Sequence, residues 1–510
     1  MRRYGAVGRP LGPSLIFRSY RVVCPLLLVL VLGSCGVFGT IPQVPAARPS
    51  ATATPGSTVP AATSTTAIAP AAITIDGAKA RQHLVYFADA ARGGRFTGSP
   101  GFEDAARYMA DRFREIGLEP AGDGGTYFQR FPVQLVDLAG TPTLSRTGAA
   151  AKTWTHRVDF TENVGGRAGN GSAEAMLAVV GGGSSGVQDD FAGVDVRGRI
   201  ALLTGPTVTG YQEQVFQRGG VGILVVGDAS LKYSYIAQFF AQTLPVLVIT
   251  EATANELLAP AGRTVTDVRD AVRQHRANPL APQSGFAIDT TVGMGVPLTP
   301  VHEVQATNVV ALLRASGPDA ARAVMVGGHL DGVGTDPNGT VFPAANDNAS
   351  GPAIAIEVAR SLAAHRSELR RSVVFVAFSG EEEGYLGSEA YIARMSASPG
   401  RLESLVAMLN LDVIGCCGDT LEASSESKAL QDRIGVAAQR NSVPFRGVSG
   451  GGSDQQSFSK RGVPATLILW SDYILHTTAD TTGKVDVRHL QQAGDVVAAV
   501  ALELGRGEGP

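Results

Sequence analysis

A chain of 510 residues is too long for one ordinary domain, so two or three folded units are expected. With 44% hydrophobic residues, 17% charged residues and a formal charge of −3, it reads as a soluble globular protein with ample core. No basic cluster occurs in the body of the chain, which excludes a nucleic-acid partner, because such a partner needs a concentrated positive surface.

The N-terminus reads as a targeting segment and not as part of the fold. Arg2, Arg3, Arg9, Arg18 and Arg21 form a positive region with no acidic residue. The apolar run Val22–Leu32 that follows is too short to span a bilayer comfortably. It ends in Leu32-Gly33-Ser34-Cys35, which resembles the lipobox of bacterial lipoproteins. That resemblance implies removal of residues 1–34, a lipid on Cys35 and a protein held at the extracytoplasmic face of the cell membrane. An ordinary signal peptide and an uncleaved anchor are the alternatives. Residues 35–74 are rich in Pro, Ala, Ser and Thr, and read as an extended spacer. Only Cys416 and Cys417 then remain, and neighbours in sequence cannot staple a large loop. They form either a vicinal disulfide or two small buried side chains.

Order is expected from about Ile75, with a first peptidase segment over 75–140. Phe102, Ala106, Met109, Phe113 and Ile116 recur at helical spacing and Gly117 follows as a stop, so the spacing predicts a helix over 101–116. A strand follows around Tyr127–Val136. From 141 to 290 glycine-rich turns separate short apolar runs such as Ala201–Leu203, Val221–Val226 and Pro245–Ile249, the texture of a compact β-rich inserted module. Asp190–Leu203 and Gly219–Val226 with Leu244-Pro245-Val246 are similar to the protease-associated domain, which implies no chemistry of their own. Over 291–510 the strands Val309–Leu313, Val324–Gly327, Val373–Phe378, Leu405–Leu409 and Ala465–Trp470 alternate with helices near 351–364, 387–395 and 427–439. That order argues an α/β domain with a largely parallel central sheet.

Polar residues gather just after those strands, where open α/β sheets place their sites. His329 and Asp331 follow one strand, and Asp347 stands in Asn346-Asp347-Asn348-Ala349-Ser350-Gly351 before a helix. Glu381 and Glu382 follow Phe378-Ser379-Gly380, Asp412 follows Leu409-Asn410-Leu411, and His476 opens His476-Thr477-Thr478-Ala479-Asp480-Thr481. Two imidazoles with several carboxylates suit zinc, which accepts both nitrogen and oxygen. Singly each piece has a plain reading, as a turn, a helix cap or a solvated acidic face. Together, in order and each at a strand end, they define a site.

In this set the chain resembles the di-zinc aminopeptidases, the family of aminopeptidase S, aminopeptidase Y and the glutamate carboxypeptidases. Gly98-Ser99 and Ile116-Gly117-Leu118-Glu119-Pro120 match the family's opening segment. The resemblance implies a zinc-exopeptidase fold, mixed but largely parallel, with helices flanking the sheet and a protease-associated insertion. It implies two Zn²⁺ per chain: His329 and Asp412 on one, Glu382 and His476 on the other, Asp347 bridging. Asp331 would orient His329 and Glu381 would act as general base for a metal-bridging hydroxide, on peptide substrates cut at the N-terminus. The Asp347–Asn348 peptide would be cis. Two positions depart from the pattern: Leu475 stands where the family has Tyr, leaving Tyr473 as a substitute for the oxyanion role, and Gln455 follows Ser453-Asp454 where the family has His. A carboxypeptidase or dipeptidase, with Arg446 as a carboxylate receptor, and an inactive surface receptor are the other readings. A serine hydrolase fails for want of a strand–turn–helix nucleophile elbow.

Overall fold

The structure is a computed structural model that describes residues 73–509, apart from 149, 182–189, 192, 206–209, 234 and 236–242. Cys35, the targeting segment and nearly all of the spacer lie outside the described residues.

The first helix of the peptidase segment shows how local sequence builds the frame. Ser99 Oγ accepts the Phe102 N–H, Pro100 sits in the first turn, and Gly117 ends the helix Pro100–Ile116 at φ 85°. Phe102, Ala106, Met109 and Phe113 are fully buried along one face. That stripe packs on a nine-stranded sheet whose centre is a parallel block: Ser372–Phe378, Ala323–His329, Leu405–Leu411 and Ala465–Trp470 lie side by side in that order. His302–Leu313 pairs antiparallel beside Ser372–Phe378, and Leu421–Ser424 antiparallel beside Ala465–Trp470. The four parallel strands read Val/Ala/Leu-rich because both faces are covered. On one face lie the helices Gly77–Phe87, Pro100–Ile116, Ser350–Ala364, Lys428–Arg440 and Val487–Gly505. On the other lie Leu386–Ser396 and Gln455–Ser459, through Tyr391, Ile392 and Phe458.

A second, eight-stranded sheet is inserted after the strand Phe128–Leu135. The chain leaves and re-enters the first sheet beside the Leu138–Leu298 bridge, and the last strand of the insertion runs Phe286–Val296, past residue 290. Four of its strands, Gly171–Val179, Ile200–Leu203, Gly222–Val226 and Val246–Ile249, are parallel. The helices Tyr211–Gln217, Glu251–Leu258 and Val265–Ala277 accompany them. Val265–Ala277 carries a reciprocal cap between Thr264 and Asp267, a local signal that the glycine-rich texture around it obscured. No helix among the described residues is long and apolar enough to cross a membrane.

Candidate metal centre

Parallel pairing fixes where the chemistry falls. His329 lies opposite Phe378, Gly327 opposite Asn410, and Leu411 opposite Ile468, so the strands end level and their next residues meet at one edge. His329 ends its own strand, Glu381 and Glu382 follow Phe378, Asp412 follows Leu411, and His476 comes six residues beyond Trp470.

Asp347 sits between two groups. Its Oδ1 lies 3.4 Å from His329 Nε2, and its Oδ2 lies 3.2 Å from His476 Nε2. On the first side, His329 Nε2 is also 3.1 Å from Asp412 Oδ1. On the second, His476 Nε2 is 2.8 Å from Glu382 Oε2. Each set of three offers ligand atoms within 4.8 Å of one another, and Glu381 lies within that reach of His329 and Glu382. Asp331 Oδ1 faces His329 Nδ1 at 3.7 Å, while its Oδ2 accepts the Glu382 N–H at 3.2 Å. Asp331 therefore touches both halves.

The donor set fits divalent zinc. Burial raises Glu381 well above the usual carboxylate range, and Asp412 and Glu382 beside it push the same way. Glu382 is raised for the same reasons, burial first and Asp347 next. Burial disfavours protonated imidazole at His329 and His476, yet both are driven upward, by Asp412 and Glu381 at the first and by Glu382 and Asp347 at the second. Burial would raise Asp347 too, but the two histidines hold it well below the carboxylate range. Such a cluster is short of positive charge. Glu382 Oε1 is buried without a hydrogen-bond partner, as a carboxylate oxygen awaiting a cation would be. Nitrogen and oxygen donors in two sets of three, sharing one carboxylate, are the ligand chemistry zinc accepts.

The segment around Asp347 is tied down from three sides. Asp480 accepts the Asn346 N–H at 2.7 Å and the Asp347 N–H at 3.0 Å. The Asn348 side chain donates to the Leu411 carbonyl at 2.8 Å, and its Oδ1 accepts the Gly351 N–H in the first turn of the helix Ser350–Ala364. Asn346 accepts the Gly415 N–H at 2.7 Å. The Asp347–Asn348 peptide is cis. Below it the buried Arg95 guanidinium donates to the carbonyls of Leu330, Phe87, Pro343 and Ala344, bracing the loop between His329 and Asp347. Burial lowers Arg95 to about 10, and it stays a cation beneath the acidic cluster. Neither Asp480 nor Arg95 was singled out from sequence. Asp480 did stand in the motif that carries His476, but Arg95 lies over two hundred residues from the ligands and gave no signal.

The two departures resolve differently. Gln455 is fully buried, accepts from Asn410 at 3.2 Å and donates to the Gly451 carbonyl at 2.9 Å, so it braces the loop behind Asp412. Tyr473 does not fill the place of the tyrosine replaced by Leu475. It is 77% exposed, and among the described residues no hydrogen bond joins it to the ligands. A second tyrosine, Tyr385, has a left-handed backbone at φ 63°, and its Oη would stand 2.8 Å from a Cβ on Gly452. Burial raises its pKa, and Glu381, Asp454 and Asp412 add to the rise. Arg446 is paired with Glu422. Cys416 and Cys417 are bonded to each other.

An α/β domain that gathers two imidazoles and three carboxylates around one shared aspartate has the build of a metallohydrolase. More particularly, residues 308–501, the segment that supplies every candidate ligand, match the model of peptidase family M28. Aminopeptidase YwaD of Bacillus subtilis (strain 168) is 28% identical over 212 residues, covering 38% of this chain and 44% of that protein. A probable zinc metalloprotease of Leptosphaeria maculans is 30% identical over 208 residues, covering 37% of this chain and 47% of that protein. The matched stretch thus spans less than half the length of either relative. The fold is shared with an aminopeptidase from Aneurinibacillus sp. strain AM-1, at a TM-score of 0.62 and 21% identity over 84% of this chain and 94% of that one. It is also shared with BSAP, a zinc aminopeptidase from Bacillus subtilis, at a TM-score of 0.60 and 21% identity over 85% and 96% of the two chains.

Proposed function

We propose that this protein is a zinc aminopeptidase that removes N-terminal residues from peptides outside the cytoplasm. The observation that carries the reading is Asp347, which turns one carboxylate oxygen to each of two histidine–carboxylate sets. In this reading His329 and Asp412 hold one zinc, Glu382 and His476 the other, and Asp347 both. Bound zinc would supply Lewis-acid polarisation of the scissile carbonyl and bring a water's pKa from about 15.7 toward about 7.

The chain's own residues do the rest. Glu381 lies against His329 and Glu382, within reach of a water held between the two sets. From there it is placed to take that water's proton and return it to the leaving amine. Asp331 faces the Nδ1 side of His329, and Nε2 is turned to Asp347 and Asp412 as the atom available to the metal. The ends of the buried strands Ala323–His329 and Ser372–Phe378 hold these groups, which limits their drift.

The test is hydrolysis of paired peptides, one with a free N-terminus and one N-acetylated, with and without chelator. Release of the first residue from the free peptide alone, abolished by chelator and restored by zinc, supports the aminopeptidase. Release of C-terminal residues from both would make it a carboxypeptidase, and no turnover by zinc-loaded protein would leave a binding protein. Membrane tethering through Cys35 is part of the same proposal and rests on the Leu32-Gly33-Ser34-Cys35 sequence. Cys35→Ala should then move the protein from the membrane fraction to the soluble fraction and abolish labelling by a fatty-acid probe. Unchanged fractionation and labelling would end that part.

A further inference from the structure

The inserted module reaches the metal centre through one peptide group. The Leu231–Lys232 amide lies in the insertion, and its N–H donates to the His476 carbonyl at 2.9 Å. The other side of the same amide is held twice: the Leu231 carbonyl accepts from Arg157 Nη1 at 2.8 Å and from Thr161 Oγ1 at 2.9 Å. Arg157 is itself fixed by both domains. Its fork makes two bonds to Asp336, at 2.9 and 2.8 Å, and Asp336 belongs to the loop between His329 and Asp347. A third bond, at 2.7 Å, goes to Glu162 of the insertion. Lys232, only 1% exposed, sends its ammonium back to the Thr335 carbonyl at 3.2 Å and lies 3.4 Å from Asp336.

His476 needs such a hold. Its backbone is left-handed at φ 58°, a conformation a histidine keeps only where its surroundings enforce it. The strand that precedes it ends at Trp470, six residues away, so sheet pairing does not set its position. We infer that Arg157 and Lys232 of the inserted module are positioning residues for His476, acting through the Leu231–Lys232 amide, so that the module completes one of the two metal sites. This rests on the reading of His476 as a zinc ligand. The charged groups are buried and paired across the two domains, an arrangement in which a lost partner costs more than the pair contributes. Guanidinium geometry matters as well as charge, because two carboxylates and a carbonyl are bound by one planar fork.

The experiment is a zinc titration of the intact, zinc-stripped chain against a chromophoric chelator, with folding checked by circular dichroism. Arg157→Lys keeps the charge and loses the fork, and Lys232→Met keeps the length and the main-chain N–H but loses the anchor. Both should weaken one of two zinc ions about 10- to 100-fold and leave the other unchanged, as outer partners of metal ligands do. The weakened ion should be the one that His476→Ala loses. Should Arg157→Lys fail to fold, Thr161→Val carries the test, since it removes one donor to the Leu231 carbonyl and keeps the side-chain shape. Parent affinity for both ions in the folded variants, with one ion lost in His476→Ala, overturns the inference. Two ions retained by His476→Ala would instead overturn the ligand reading beneath it, and the inference with it.

Discussion

Replacing Asp480 with alanine removes the carboxylate that accepts both main-chain N–H groups at the start of the Asp347 turn. Those bonds are 2.7 and 3.0 Å long, and Asp480 is 1% exposed. Each orphaned buried N–H costs about 1–3 kcal/mol, or about 2–6 kcal/mol for the two. Part is returned, because burial, Asp347 and Asp472 push the Asp480 carboxyl up to about 7 while the two N–H groups hold it down. The expected net loss lies in the lower part of that range, about 2–3 kcal/mol. The assay is urea unfolding of zinc-stripped protein at pH 8, where the folded carboxylate is ionised. Asp480→Asn should lose less, since its amide oxygen still accepts one N–H. A midpoint shift worth under about 0.5 kcal/mol for Asp480→Ala at constant slope would refute the claim that this residue holds the turn.

Glu381→Gln removes the proposed base but none of the five ligands, so kcat should fall about 10²- to 10⁴-fold with zinc stoichiometry unchanged. Loss of zinc instead would make Glu381 a ligand. Gly328→Ala places a Cβ against the Leu411 carbonyl oxygen and 3.1 Å from the Asn348 amide, where both the strand before Asp412 and the Asp347 turn must give way. A loss of about 1–3 kcal/mol in urea and weaker zinc binding are expected, and a parent-like variant would show the strand spacing to be slack. Glu162 of the inserted module is held down to about 2: burial opposes ionisation, but His156 and Arg157 outweigh it. A folded pKa below the unfolded value near 4.5 gives stability that is present above that value and is lost as pH falls toward 2. Glu162→Gln should therefore flatten the acid limb of the stability profile between about pH 5 and 2, and an unchanged limb would exclude this linkage.

Elements and candidate ligands were legible in the sequence for one shared reason. Strands buried on both faces must be continuous apolar runs, and a polar residue just after such a run has few places to go except the strand ends. His329, Glu381, Glu382 and Asp412 were found that way, Asp347 stood before a helix and His476 in the segment beyond the last strand, and the structure brings all six together. What the tertiary structure alone decided was what holds them. Arg95 reaches the Leu330 and Ala344 carbonyls across more than two hundred residues, and Lys232 reaches His476 from another domain. Their signals are single polar residues with no period and no spacing, because their partners are main-chain carbonyls that any sequence presents. Tyr473 shows the converse: three positions from His476 in the chain, it is exposed to solvent, while Tyr385, some ninety residues away, feels the charge of Glu381, Asp454 and Asp412. Sequence determines which chemical groups a strand end can offer, through local pattern. Only the packed chain decides which neighbours orient them, since those contacts depend on direction and distance in three dimensions.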